Sequence, residues 1–555
     1  MSAVVIITVS IVVLLVGYLL YGRSIARKWG IDPKAKTPAY EFQDGVDYVP
    51  SDKGVVFGHQ FASIAGAGPI NGPIQAAFFG WVPVLLWLFV GGIFFGAVQD
   101  FAAMYASVKN KGRTVGYIIE LYIGKTGKKL FLVFTWLFSI LTIAAFADII
   151  CKTFDGIGGI SEVNLAGAQV SMISLSFIVF AFLLGLLIRY WKMPKGLLPV
   201  ISIVFLVASV VIGLNMPVYL STDVWRVVIF VYVALACVLP VWILLQPRDY
   251  LNSYLLIAMI IAAVVGIFAA NPTMKLEPFT GFQLNGQTMF PYLFVTVACG
   301  AISGFHALVS SGTASKQIKN EKDMLPISYG SMLLETLLAI IALIAVGSRF
   351  TSAEVATAGT PATVFATSIA SFLDVLRIPN HISYSLITLS VSAFALTSLD
   401  SVARIGRLSW QELFLDSSVK DEDIHGIRKL FTNTYFATAL LLGLAFCLTK
   451  IGYSNIWPLF GASNQLLGVM ALIACAVYFK RTNRQGAFLW APMIFMLATT
   501  LITLVMTVIS NVRTIASGNA ENVLGMIIQV SFALAVFIIG IIVSKRGLEK
   551  LRKSE

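Results

Sequence analysis

Between Phe57 and Gly80 the chain reads FGHQFASIAGAGPINGPIQAAFFG, with Gly66, Gly68, Gly72, Pro69 and Pro73 near the middle. The segment is long enough to cross a bilayer, at roughly 20 residues per span, yet it cannot be one smooth helix. Each proline removes a backbone donor and crowds the preceding turn, and each glycine loosens the backbone. In hydrocarbon an opened turn survives only where protein or a polar cavity satisfies the freed N–H and C=O groups. The segment therefore predicts a discontinuous membrane helix whose gap faces a cavity, the usual position of a solute or ion site in a secondary transporter. The plainer alternative is a kinked structural helix, since glycine and proline are common in membrane helices.

Composition fixes the solvent. The 555 residues are 58% apolar and 12% charged, with a mean hydropathy of +0.87. A soluble body of this length cannot hide that much apolar surface, so lipid must be part of the surroundings. The net charge of +12 comes from basic residues in short loops beside apolar runs. That pattern orients helices in a bilayer and does not form a nucleic-acid stripe. Cys151, Cys237, Cys299, Cys447 and Cys475 lack CxxC spacing, and a bundle this large needs no disulfide staple. His59, His306, His381 and His425 are far apart with no HExxH pair, so no metal site is expected. With no P-loop either, a transporter of this kind would draw on an ion gradient or let its solute equilibrate.

About fifteen spans follow from the ~20-residue rule: 3–22, 55–80, 84–106, 130–150, 169–188, 197–214, 225–246, 251–270, 289–313, 327–347, 381–402, 429–449, 456–479, 488–510 and 522–544. Residues 3–22 precede Arg23, Arg27 and Lys28, the reverse of a cleaved signal. The N-terminus is expected outside and the C-terminus, with Lys545 and Arg546, inside. Arg189, Lys192 and Lys195 then fall inside, and Asp155 and Glu162 outside, as the positive-inside rule requires. TVGYIIELYIG, in an inner loop, is apolar enough to lie along the membrane surface. The outer loop 348–380 holds another piece apolar enough to dip into it. Counting from the broken helix, the sixth span is 225–246, which crosses in the opposite sense and carries Pro240. A five-plus-five inverted repeat places a second discontinuous helix there. The expected division is an N-terminal helix and inner segment (1–54), a transport core (55–403) and further membrane helices (404–555).

An ionisable group at membrane depth costs about 2.5–3.5 kcal/mol by the lower estimates and faces a cavity or a partner. His306, in CGAISGFHALVSSGT, suits proton coupling because histidine titrates near neutral pH; alternatively it holds two helices together. Glu335, in SMLLETLLAIIAL, is either a proton carrier or a neutral hydrogen-bonded acid. Asp400 has Arg404 at i+4, the spacing of a structural ion pair. Asp100, near the inner boundary, caps a helix or pairs with a loop lysine. Asp148 has Lys152 within reach. His59 lies just ahead of the break and joins His306, Glu335, Asp100 and Asp400 as a coupling-ion candidate. Ser310-Ser311 and Thr397-Ser398 offer hydroxyl oxygens that suit sodium, or else helix–helix hydrogen bonds worth about 0.6 kcal/mol. Gly92 and Gly96 form a GxxxG that serves close packing. IWPLFGASNQLLGV, with Pro458, Gly461, Asn464 and Gln465, is another opened turn or a packing motif. At the first break, Ser63, Ala65, Gly66, Ala67, Gly68, Pro69 and Asn71 are the candidate substrate contacts. There a carboxylate would meet free N–H groups at the positive end of a half-helix.

FGHQFASIAGAGPINGP, GAVQDF (96–101), LLQPRDYL (244–251), ACGAISGFHALVSSGT (298–313), TSLDSVARIGR (397–407) and WPLFGASNQLL (457–467) resemble signature stretches of the carbon starvation protein A family. They spread over most of the chain. The resemblance implies a prokaryotic inner-membrane transporter, induced when carbon is scarce, that takes up peptides and pyruvate with protons. It also implies the amino acid–polyamine–organocation superfamily, hence an all-α, leucine-transporter-like membrane bundle. The chain departs from many members in having His59-Gln60 where they have two histidines. It is also shorter than the longest members, with peripheral C-terminal helices the expected difference.

The functional expectation is a gradient-driven importer of a small carboxylate-bearing nutrient, peptide or pyruvate, with H+ or Na+ as coupling ion and no other cofactor. A channel would need a continuous polar path, whereas the polar residues here cluster. A membrane-embedded sensor or enzyme would need an output domain, a nucleophile–base pair or a metal cluster.

Overall fold

Helices dominate because a helix in lipid satisfies its backbone groups within itself. A computed structural model describes residues 1–44, 48–157, 164–191, 197–240, 243–284, 286–414, 426–484, 486–518 and 522–553; Glu162, Lys192, Lys195 and His425 lie outside them. In chain order the principal helices begin with α1 (Ala3–Trp29), α2 (Lys53–Ile64), α3 (Gly68–Ala76), α4 (Trp81–Lys109), α5 (Val115–Tyr122) and α6 (Lys125–Thr153). Next come α7 (Leu165–Trp191), α8 (Leu197–Asn215), α9 (Thr222–Val238), α10 (Leu245–Ala270), α11 (Met289–Thr296) and α12 (Gly304–Gly312). The last are α13 (Glu321–Arg349), α14 (Pro361–Asp374), α15 (Asn380–Phe414), α16 (Thr434–Thr449), α17 (Tyr453–Arg481), α18 (Ala487–Ala516) and α19 (Val523–Lys553). The one sheet among the described residues is a hairpin ahead of α11, with Gln283 opposite Thr288 and Leu284 opposite Gln287.

Eleven helices among the described residues are long and apolar enough to cross a membrane: α1, α4, α6, α7, α8, α10, α13, α15, α17, α18 and α19. The other four expected spans are interrupted, as α2/α3 and α11/α12, or short, as α9 (17 residues) and α16 (16 residues). The apolar window of α17 is fully buried and that of α15 is 89% buried, against 17% for α8 and 22% for α19. The centre is therefore α6, α13, α15 and α17, with α6 and α15 packing most extensively on each other. The rim turns Val12, Val204, Ile509 and Ile538 outward, an apolar surface that suits lipid.

The first interruption is local. Ala65 leaves the helical basin at φ −74° and ψ 66°, and α3 resumes at Gly68 with Pro69 in its first turn, where a missing donor is harmless. The opened turn is Ala65–Ala67; Pro73 sits inside α3.

The second interruption lies at residues 297–303, not at Pro240. Helix α9 simply ends at Val238, with Leu239 extended, so Pro240 breaks nothing. Between α11 and α12 the freed backbone groups find partners far away in sequence. Gln465 Nε2 donates to Phe294 O, Trp87 Nε1 to Val297 O, Thr336 Oγ1 to Gly300 O and Gln99 Nε2 to Ser303 O, while Asn464 Oδ1 accepts from Phe305 N. Those partners remove the desolvation penalty of an opened membrane helix. Asn464 and Gln465 themselves sit in the unbroken helix α17; the opened turn they were read as marking belongs to the segment they cap.

Loops expected on one side of the membrane do meet. Ala3 N donates to Pro272 O and Met274 N to Met1 O on one side. On the other, Ser51 bridges Ile318 and Lys109 Nζ lies 2.6 Å from Glu321 Oε1.

Candidate functional site

Both interruptions line one small space of about 20 Å³, room for about one water molecule. Gly66 and Gly68 contribute from the first break, Cys299, Ser303 and His306 from the second, Ser398 from α15 and Asn464 from α17. Thr142 and the apolar side chains of Ile64, Phe138, Phe146, Phe305, Val402 and Phe460 complete it. The two glycines are there because nothing larger fits. A Cβ on Gly66 would fall 2.5 Å from Ser398 Oγ, and one on Gly68 2.4 Å from Cys299 Sγ. Ser398 Oγ is buried without a hydrogen-bond partner, as are both amide atoms of Asn71. Buried polar atoms left unpaired in this way are sites where a water or ligand belongs.

His306 joins the cavity to two acids. Its Nδ1 lies 3.1 Å from Asp100 Oδ2 of α4 and hydrogen-bonds to it. Its Nε2 lies 3.2 Å from Glu335 Oε2 of α13, out of line for a hydrogen bond. All three side chains are fully buried. Asp100 thus neither caps a helix nor pairs with a loop lysine. Close packing makes the triad possible: a Cβ on Gly92 would meet Thr336 Oγ1 at 2.4 Å, and one on Gly96 would meet Ala301 O at 2.4 Å. The GxxxG works as a packing motif, pressing α4 against α13 and the second break.

A second charged network lies towards the N-terminal ends of α2 and α10. Asp400 pairs with Arg248 of α10 and accepts from Tyr232 OH at 2.7 Å. Arg248 NH2 also lies 3.3 Å from Asp249 Oδ1, and Asp249 Oδ2 lies 3.7 Å from His59 Nδ1 of α2. Arg404, the partner that i+4 spacing predicts for Asp400, instead donates to Ala236 O and Leu239 O, and Arg407 donates to Cys237 O. A guanidinium is drawn to the orphan carbonyls and negative pole at the end of α9. Asp148 contacts Lys152 at 2.8 Å, as its spacing predicts, and also accepts from Tyr453 N at the start of α17.

Of the residues singled out in the sequence, Gly66, Gly68, His306 and Ser398 meet at the cavity, and Asp100 and Glu335 join through His306. Ser63, Ala65, Ala67, Pro69 and Asn71 are buried nearby in the chain but do not line it. Ser310 accepts from Gln60, and Ser311 donates to Ala307 O and accepts from Val115 N. Thr397 accepts from Asn252 and donates to Ala393 O. Ser303, noted in the sequence as a hydroxyl beside His306, lines the cavity too; sequence reasoning did not reach Thr142, Cys299, Arg248, Asp249 or Asn252 as site residues. The one local signal was the Arg-Asp pair inside LLQPRDYL. Among the described residues no group of three or more His, Cys, Asp or Glu could hold a metal ion.

Residues 2–350 and 347–503 match the family described as Carbon starvation protein CstA. The chain is 32% identical over 577 residues to the peptide transporter CstA of Escherichia coli (strain K12), covering 89% of this chain and 79% of that protein. It is 33% identical to the peptide transporter CstA of Bacillus subtilis (strain 168), covering 85% and 84%. It is also 30% identical to the pyruvate/proton symporter BtsT of Escherichia coli (strain K12), covering 89% and 79%. Among solved structures, the Eremococcus coleocola manganese transporter in complex with an aromatic bis-isothiourea substituted compound aligns at TM-score 0.45 and 12% identity, over 90% of this chain and 98% of that one.

Proposed function

The chain belongs to the carbon starvation protein CstA family, and from that premise we propose that it imports a small carboxylate-bearing nutrient by secondary active transport coupled to protons. Pyruvate and short peptides, named for its relatives, both present a carboxylate. The observation that carries the reading is a single cavity shared by two interrupted helices and by His306, whose ring reaches two buried acids.

The finer architecture has support in the helix order. The α7–α8 hairpin packs on itself and, mainly through α7, on α10 and α15; setting it aside, the helices from α2 to α17 fall into two sets of five. Each set opens with an interrupted helix. A helix with a π-helical turn follows, at Gly91–Gly96 in α4 and Pro326–Gly330 in α13. Third members α6 and α15 are long, at 29 and 35 residues, and fourth members α9 and α16 are short. Helices α5 and α14 sit at the same place in each set, before the third member. This is the pattern of a five-plus-five, leucine-transporter-like inverted repeat, with α1, α18 and α19 flanking the core. Counting α2/α3, α9, α11/α12 and α16 with the eleven long helices gives fifteen crossings, N-terminus outside and C-terminus inside the bacterial cytoplasmic membrane.

The carboxylate would sit at the opened turn before α3, whose N-terminus is the positive pole of a half-helix; the matching end of α12 is already capped by Asn464. The 20 Å³ cavity is then the closed form of a larger binding space. Proton rather than sodium coupling fits the hydroxyls: Ser310, Ser311 and Thr397 are engaged in helix packing, leaving Ser398 alone, whereas a hard cation needs several oxygens. In the triad two acids flank one imidazole, so a proton gained or lost there changes the balance of a fully buried cluster. Substrate in the cavity touches His306 and feels that change.

The test is uptake of labelled pyruvate and of a labelled dipeptide by proteoliposomes with and without an inward pH gradient. Accumulation of either under the pH gradient supports the reading; accumulation of neither under it, or accumulation under a sodium gradient alone, would reject proton-coupled import.

A further inference from the structure

Building on the transport reading, we infer that Arg248, Asp249 and His59 form a latch that keeps the half-helix α2 docked and the cavity shut toward the side where α2 begins. Helix α2 runs from that side to Ile64 at the cavity wall, so a path from there to the cavity opens only if α2 leaves α10 and α15. Among the described residues, α2 is tied at its N-cap by Asp52 to Lys319, and along its length by Gln60 Nε2 to Ser310 Oγ at 2.8 Å, His59 Nε2 to Thr313 Oγ1 at 3.2 Å and His59 Nδ1 to Asp249 Oδ2 at 3.7 Å. Of the ties along the helix, the last pairs an acid with a group able to carry positive charge.

Behind it, one guanidinium, Arg248, contacts two carboxylates, Asp400 and Asp249. Asp249 is the one that faces α2, and the His59 ring lies 3.7 Å from it. Exposure rises along the same line. Asp400 is sealed and Arg248 2% exposed, whereas the His59 side chain is 23% exposed. The network is therefore tight between α10 and α15, which need not part, and loose at α2, which must. Undocking α2 lets His59 enter water while Arg248 keeps Asp249 from being a lone buried charge.

The latch can be read without any substrate. In the full chain with Cys299 as sole cysteine (Cys151→Ala, Cys237→Ala, Cys447→Ser, Cys475→Ala), a membrane-impermeant maleimide is added to vesicles of either orientation. Asp249→Asn and His59→Ala are each expected to raise labelling of Cys299 from the α2 side about tenfold, and His59→Lys, which keeps a cation, to leave it within about twofold. Should Asp249→Asn fail to fold, the two His59 variants at the exposed edge carry the test. Equal labelling in all variants, or a rise only from the opposite side, would overturn the latch. Uptake of pyruvate is measured in the Cys299-only parent, so intact parental uptake with unchanged labelling of the variants rejects the latch alone, and changed labelling of the variants with no uptake by the parent rejects the substrate reading alone.

Discussion

His306 Nδ1 lies 3.1 Å from Asp100 Oδ2, 206 residues away in sequence, and both side chains are sealed from solvent. Such a pair persists only if its charge states match, because an unpaired buried charge costs about 3–5 kcal/mol. His306→Gln keeps a hydrogen-bonding side chain of similar reach but cannot take up a proton at neutral pH. It is expected to abolish pH-driven accumulation while leaving exchange of labelled for unlabelled substrate. Glu335→Gln should do the same, since that carboxylate accepts no hydrogen bond and its loss leaves no donor unmet. Paired measurements of gradient-driven uptake and counterflow check this; accumulation at the native level in both variants would remove the triad from the coupling step.

How much of this was legible in the chain depends on how local the cause is. The first interruption is written in consecutive glycines and prolines, and it falls where they put it. The second is held open by Gln465, Gln99, Thr336 and Trp87, side chains that no window around residues 297–303 contains. Asp100, His306 and Glu335 each stand out as isolated ionisable groups in apolar runs, but only the packing of α4, α12 and α13 joins them. Asp400 shows the opposite failure. Helix spacing offers it Arg404, yet the orphan carbonyls of α9 claim that arginine and Arg248 arrives from another helix.

Gly68 has no space for a side chain. A methyl group there would press on Cys299, 2.4 Å from its Sγ and 2.6 Å from its Cβ. Gly68→Ala is expected to lower thermal stability by about 1–3 kcal/mol, the usual range for overpacking, and to reduce uptake strongly. Cys299→Gly removes both clashing atoms, so the double variant should regain most of the lost stability. Thermal unfolding in detergent across the four-member cycle tests this, and additive effects would show that the two positions do not touch.

The Arg248–Asp400 pair should behave as buried ion pairs do. Arg248→Met strips both carboxylates, Asp400 and Asp249, of their shared counter-charge, and a loss of about 3–5 kcal/mol is expected. Neutralising the acids as well, as in Arg248→Met with Asp249→Asn and Asp400→Leu, leaves no uncompensated charge in the cluster and should fold better than the single variant. Unfolding midpoints of the single and triple variants give the comparison. A triple variant less stable than Arg248→Met would mean that the cluster's geometry, and not its charge balance, holds α10 to α15.

Glu277 supplies a pH dependence outside the membrane helices. Its Oε2 accepts from Ser352 N at 2.9 Å and from Ser352 Oγ, tying the loop before α11 to the loop before α14. That first loop also caps the turn between α3 and α4, since Trp81 N donates to Glu277 O and Thr280 N to Phe79 O. The Ser352 hydroxyl, then the backbone N–H groups, hold the Glu277 carboxyl below its usual range. The sign follows. A carboxyl lowered on folding stabilises the closed loop fully above its unfolded pKa of about 4.3, and that contribution disappears as pH falls through the lower folded value. The tie should therefore be constant from pH 8 to 5 and loosen only in stronger acid; its energy is small because the group is exposed. Spin labels at Phe279→Cys and Ala353→Cys in a chain without other cysteines report the separation of the two loops. The distance distribution should stay narrow down to pH 5 and broaden below the ordinary carboxylate range. Broadening between pH 7 and 6 would assign the tie to a different group.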